Sequence, residues 1–408
     1  MSIPHLRLLY ISAVVPDTTS GGRFAMYRHL VLKQDFEVAV AGTTAGDSPV
    51  ERRFVIRKNR LIERLRRTRL SRLLCNLEYL QNWVMVPQPL MQFAQEFRPD
   101  VVVCVIEDWH MGLAWQIATR LNVPLVVNFQ DLFCLSQFVP DKIRPFPWLV
   151  PFLVNRYRML NRKAAQSFYT TEGMGNWFGQ DRRGDVLYPV GDFSTFSIHV
   201  VKPKPQTPIQ IVYAGNCYGA YGRMLLRLAN TVKERSDIHL QIFAAGNDWP
   251  LEKVKEMTEA GIYKGFKPFE QLKSDFQQAD AFLTVMSFEK AEEPFMKTSF
   301  TTKWLDYVPY GKPVFVWAPD YSTAYQFAHQ HRAGIAVSED NSVALVKTMI
   351  DAASNLETWQ AACGGARNAA KTVLNAEKIH TLFVERVNRV SRQSQDTSKI
   401  DDLQELAR

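Results

Sequence analysis

The feature that most constrains this chain is a repeated unit: a continuous apolar run, then a glycine-bearing turn or polar loop, then a helix-spaced segment. Residues 6–15 form such a run, Ser20, Gly21 and Gly22 turn the chain, and residues 24–32 carry apolar side chains at helical spacing. Residues 36–41, 101–106 and 125–129 are further runs, the last two separated by a helical pattern over 111–121. A strand with one wet face alternates apolar and polar residues, so an unbroken run points to cover on both faces. Parallel strands between two layers of helix meet that condition.

The unit returns after residues 201–209, where Pro203, Pro205 and Pro208 make an extended, stiff connection. Strand patterns at 210–214, 238–244, 281–285 and 313–317 then alternate with helical patterns at 223–235, 251–260, 269–278, 302–310 and 322–331. The expectation is an α/β chain of two doubly wound domains, 1–200 and 201–375, with a long helix over 376–392 and a frayed polar tail over 393–408. Cys75, Cys104, Cys134, Cys217 and Cys363 are odd in number and widely spaced, so reduced thiols are expected rather than a disulfide framework or a zinc site. No run is long and apolar enough to span a bilayer, and the N-terminal run lacks a secretory cleavage pattern, which points to a cytoplasmic protein.

Residues 298–316, TSFTTKWLDYVPYGKPVFV, carry more information. A small residue and a lysine precede an acidic residue, an apolar pair and Gly-x-Pro-Val. This resembles the nucleotide-sugar signature of GT-B glycosyltransferases of family 4. GFKPFEQLKSDFQQADAFLTVMSF (265–288), IVYAGNCYGAYGRMLL (211–226), LYPVGDFSTF (187–196), PDVVVCVIEDWHMG (99–112) and VPLVVNFQDLF (123–133) fit the same template in order. The resemblance implies the GT-B fold, two Rossmann-like domains facing across a cleft, with the last helix crossing back to the first. It implies transfer of a hexosyl group from a UDP-, GDP- or dTDP-sugar to a polysaccharide or lipid-linked acceptor, with retention, no cofactor and no metal. A sugar-nucleotide epimerase and a non-catalytic sugar-binding scaffold are the rival readings. The chain departs from the family at one place: Thr298 stands where the first of two glutamates would be, and Asp306 where the second would be.

By the same resemblance, Asp306 would accept hydrogen bonds from the ribose hydroxyls. The helix beginning near Thr301 and Thr302 would offer backbone N–H groups and hydroxyls to the pyrophosphate. Lys303 and Arg223 would neutralise charge that grows on the leaving group, while Gly21, Gly22, Gly215 and Asn216 would let backbone approach the phosphates. Asp108 and His110 are the candidates for acceptor activation, with Glu107 and Asp131 also at the carboxyl ends of predicted strands and Glu172 further on. Asp131 reads equally as a helix cap.

Net charge is +8 over the chain, yet residues 51–72 alone hold ten Lys and Arg against Glu51 and Glu63, so the remainder is electrically balanced. Leucines at helical spacing within 59–77 lie among those arginines. A basic face beside an apolar stripe predicts an interfacial helix on an anionic membrane surface, on the cytoplasmic side. No recognition fold accompanies the patch, so nucleic acid is not expected as a partner.

Overall fold

The computed structural model describes residues 6–18, 21–57, 64–65, 68–107, 109–132, 144–179, 184–193 and 208–406. The chain divides into two compact units, Met1–Val190 with Ile379–Arg408, and Gly191–Lys378. The proline-rich connection at 201–207 and Cys134 lie outside the described residues. Cys75, Cys104, Cys217 and Cys363 are buried free thiols.

In the first unit, β1 (Leu6–Ile11), β2 (Phe36–Gly42), β3 (Arg52–Val55), β4 (Val101–Val105), β5 (Leu125–Phe129), β6 (Gln166–Tyr169) and β7 (Gly184–Val186) form one sheet in the order β3-β2-β1-β4-β5-β6-β7. Every pairing is parallel. The strands β4, β5 and β6 are buried at every position, as the apolar runs of β4 and β5 require, while β6 also buries the polar Gln166 and Ser167. Helices Ser71–Gln81, Gln88–Phe97, Met111–Leu121, Val150–Lys163 and Glu172–Phe178 supply the cover. The basic stretch is therefore not one helix. Its start is the edge strand β3, whose Arg52 and Arg53 are exposed and charge the sheet edge; Arg64 and Leu65 are helical, residues 68–70 turn the chain, and a further helix begins at Ser71. Residues 58–63, 66 and 67 of the stretch lie outside the described residues.

The final helix, Ala376–Leu406, continues past 393, where the polar composition predicts a frayed tail. From Ile379 onward it belongs to the first unit. Phe383 is fully buried between Phe36, Phe168 and His29. Arg386 Nε donates to Asp185 Oδ2 at 2.7 Å, and Arg389 donates to Gln166 Oε1 at 2.8 Å.

In the second unit, β8 (Ile209–Ala214), β9 (Ile238–Phe243), β10 (Tyr263–Gly265), β11 (Ala281–Val285), β12 (Val314–Trp317) and β13 (Ile335–Val337) form a parallel sheet in the order β10-β9-β8-β11-β12-β13. All strands run the same way, but the order in which successive strands are added reverses between β8 and β11, the position where open sheets of this kind hold ligands. Neighbouring residues of β11 point to opposite faces. Leu283 and Val285 share a core with Met224, Leu225 and Leu228 of helix Gly219–Val232. Phe282 stacks instead on Tyr307 of the turn Lys303–Tyr307, at 4.4 Å between ring centroids. These two helical segments thus reach the carboxyl edge of the sheet from opposite sides.

Candidate functional site

At the carboxyl end of β8 the chain turns through Gly215, whose φ is +150°. A Cβ at Gly215 would lie 2.5 Å from Lys303 Cε and 2.9 Å from its Nζ, so a side chain there would displace the end of this lysine from across the strand end. The Lys303 ammonium rests 5.1 Å from the centre of the Tyr213 ring. Desolvation lowers its pKa from 10.5 to about 8, with the Asp306 carboxylate acting in the opposite direction. Tyr213 donates to the Asn216 carbonyl at 2.5 Å, and Tyr307 Oη accepts the Ala214 N–H at 2.8 Å, which fixes both walls of the turn. Neither tyrosine is signalled by a motif; each becomes visible only once β8 and the 303–307 turn are side by side.

Gly215, Lys303 and Asp306 are thus brought together. Asn216 serves locally: its side-chain oxygen accepts the Tyr218 N–H at 3.1 Å at the entrance to the next helix. Thr301 Oγ1 lies 3.3 Å from Thr284 Oγ1 on β11, and Thr302 is exposed. The anion-binding helix terminus expected here takes another form. Lys303–Tyr307 has five residues and runs into the short 3₁₀ segment Val308–Tyr310, so its dipole is small. The Trp304 and Leu305 N–H groups are already spent on the carbonyls of Thr301 and Thr302, at 3.3 and 2.9 Å. The lysine side chain, rather than the helix end, is the cationic group at this edge. Thr298 is buried, with its hydroxyl donating to the Pro294 carbonyl at 2.7 Å, and serves its own turn.

Arg223 comes from the opposite side of the sheet and is ion-paired with Glu289, just past β11. Arg227, one turn on, pairs with Asp340 and lies 5.5 Å from the Trp317 ring centre. These four charged groups, with Asn230, Ser287 and Phe288, line a cavity of about 430 Å³.

The carboxyl edge of the first unit's sheet carries a buried relay. Glu107 is fully buried and its carboxylate accepts the N–H groups of Ala13, Trp109 and His110, the first and last at 3.2 and 2.9 Å. His110 Nδ1 lies 3.0 Å from Glu107 Oε1 and its Nε2 lies 3.0 Å from Thr43 Oγ1. A carboxylate only accepts, so it holds the Nδ1 hydrogen and leaves Nε2 to receive the Thr43 hydroxyl. His110 is itself only 2% exposed, and it opens the helix Met111–Leu121. Asp108 lies outside the described residues. Gly21 and Gly22 start the helix Gly21–Tyr27, and a Cβ on Gly22 would meet Gln130 Oε1 at 2.5 Å. Beside them Arg23 pairs with Asp17 at 2.7 Å and reaches Thr44. Glu172 accepts the Tyr188 hydroxyl at 2.7 Å, and Asp131 is half-buried after β5.

Residues 25–185 match the family model described as a glycosyl transferase 4-like domain. No curated protein matches the chain by sequence. Among solved structures, HepE from Anabaena in complex with UDP superposes with a TM-score of 0.61 at 12% identity, covering 94% of this chain and 100% of that one. A glycosyltransferase from Rickettsia africae gives 0.64 at 11% identity over 94% and 98%. Sucrose-phosphate synthase from Thermosynechococcus elongatus gives 0.58 at 12% identity over 96% and 100%. The fold expectation holds: two Rossmann-like units of the GT-B class.

Proposed function

From a GT-B fold that carries a glycosyl transferase 4-like segment at 25–185, we propose that this protein is a glycosyltransferase. It takes a nucleoside diphosphate sugar on the second unit and transfers the hexosyl group, with retention and without a metal, to a polysaccharide or lipid-linked acceptor at the inner face of the cytoplasmic membrane. HepE has been solved with UDP and with UDP-glucose, which favours UDP as the nucleotide here.

The observation that carries this reading is Lys303, laid across Gly215 in a partly desolvated seat. A diphosphate restores the solvation that burial removed from the ammonium, and the charge growing on the departing phosphate strengthens the contact in the transition state. Asp306, one turn on, is the group that accepts from the ribose hydroxyls in this reading. The departing phosphate takes the acceptor's proton, so the chemistry does not depend on a free histidine, and His110 with its two occupied nitrogens orders the loop after β4. The inward-turned Thr298 favours a second reading, a protein that binds nucleotide sugars without turnover.

Protection against thermal unfolding by UDP, GDP and dTDP, and by their sugars, tests the proposal. Asp306→Ala should abolish protection by the nucleotide that stabilises the wild type. A wild type that no nucleoside diphosphate stabilises would end the enzyme reading, and binding without transfer to any glycan or lipid acceptor would select the second.

A further inference from the structure

Helix Gly219–Val232 turns its apolar side inward, where Met224, Leu225 and Leu228 join the core of the second unit. Residues three and four apart share a face, so Arg223, Arg227 and Asn230 fall together on the outer side, and all three are exposed. Each arginine finds a carboxylate on a loop at the carboxyl edge of the sheet: Glu289, after β11, for Arg223, and Asp340, after β13, for Arg227. Helix and loops enclose the cavity of about 430 Å³, which Phe288 also lines. The Phe288 ring is partly buried against the core, 6.3 Å from the ring of Trp317, and the Arg227 guanidinium lies 5.5 Å from that same indole. All of these residues belong to Gly191–Lys378. The helix covers the face of the sheet opposite Tyr307, and so opposite the segment that carries Lys303 and Asp306.

We propose that this cavity binds an uncharged saccharide of about two rings, apart from the nucleotide seat at Lys303. Charge selects the class. Arg223, Arg227, Glu289 and Asp340 sum to zero, so a phosphate or a uronate would have to drive off a carboxylate, and an amine would have to displace an arginine. A sugar hydroxyl does neither. Its oxygen accepts from a guanidinium while its hydrogen goes to a carboxylate, so it enters a charge pair and leaves both ions balanced. The pairs are open to it, since their side chains are 43–59% exposed and ion pairs so wetted hold weakly. Asn230, anchored through its amide nitrogen on the Leu226 carbonyl at 2.9 Å, adds an acceptor oxygen. Phe288 supplies the flat apolar surface that the C–H face of a pyranose ring needs. The inference rests on the cavity's own groups; in the glycosyltransferase reading it gives the second unit a hold on glycan that does not depend on nucleotide.

Saturation-transfer NMR and calorimetric titration of the full chain without nucleotide test this, with maltose, cellobiose, lactose and chitobiose as neutral probes and inorganic phosphate and glucuronate as charged ones. At least one disaccharide should bind, more tightly than its own monosaccharide and than either anion. Arg227→Gln with Asp340→Asn keeps both positions polar and removes their charges, and should weaken that binding roughly tenfold. Phe288→Leu should weaken it as well. The thermal unfolding of the double variant should match wild type, so the loss is not one of folding. Saturating UDP should leave the affinity for the disaccharide unchanged. Binding by none of the four disaccharides, tighter binding of phosphate or glucuronate, a double variant that binds like wild type, or displacement of the sugar by UDP would overturn the proposal. A protein that binds the disaccharide but no nucleoside diphosphate would keep this site and end the donor reading, so the two failures are distinguishable.

Discussion

Lys303 is a side chain whose desolvation costs the fold, and in the proposed donor site a bound diphosphate would offset that cost. Its folded pKa of about 8 lies below the ordinary 10.5, so between those values the unfolded chain holds a proton that the folded chain has lost. Stability from this group therefore rises with pH across that window. Affinity for a diphosphate moves the other way, because the charged form binds: it should fall about tenfold per pH unit above about 8. Calorimetric titration with UDP against denaturant midpoints over pH 7 to 10 should show the two opposite slopes. Lys303→Met should remove both slopes, abolish binding and leave the protein as stable at pH 7 as before, or more so. A Lys303→Met protein that still binds UDP normally would remove the lysine from the site. Gly215→Ala should reproduce the binding loss, since its Cβ occupies the space of the lysine's last carbon.

At the scale of elements, the helix Ala376–Leu406 is fastened to the first unit by a contact that acid should loosen. His29 Nδ1 meets His380 Nδ1 at 3.1 Å, and His380 Nε2 meets Asp35 Oδ2 at 2.7 Å. Two facing nitrogens require one bare lone pair, and burial, followed by repulsion from His380 and Arg28, lowers His29 from 6.5 to about 3. The unfolded chain takes that proton near 6.5 and the folded one resists it, so stability is full above 6.5 and falls as pH drops toward 3. The limiting slope is about 1.4 kcal/mol per pH unit. Urea midpoints at pH 7 and pH 5 should separate for the wild type and converge for His29→Gln, which cannot titrate. An unchanged separation would place the acid sensitivity elsewhere.

At the scale of the molecule, two cores imply two unfolding events. The last helix closes the first unit with Phe383, Arg386 and Arg389, although the segment just before it belongs to the second. Differential scanning calorimetry should resolve two transitions, with UDP raising only the one that belongs to Gly191–Lys378. Deleting residues 379–408 should lower the other, because Phe36, Phe168 and His29 lose their cover. A deletion that leaves both transitions in place would show that the helix contributes nothing to the first unit.

Much of the fold was legible in the chain because burial on both faces leaves a mark that survives in one dimension. The almost wholly apolar runs at 101–105, 125–129 and 281–285 are strands for that reason, and the Gly-x-Pro-Val segment pointed to the second unit's candidate site. The short strands β3, β6, β7, β10 and β13 were missed, since three or four residues carry too little periodicity. Residue types at the site were legible too, but their partners were not. Only the tertiary structure decided that Lys303 lies over Gly215, that Arg223 is taken by Glu289, that His110 is held between Glu107 and Thr43, and that the leucines beside the basic run stay in water. Local pattern reports what each residue does with its neighbours in the chain. Charge pairing and desolvation depend on residues far away in sequence, and those distances exist only after folding.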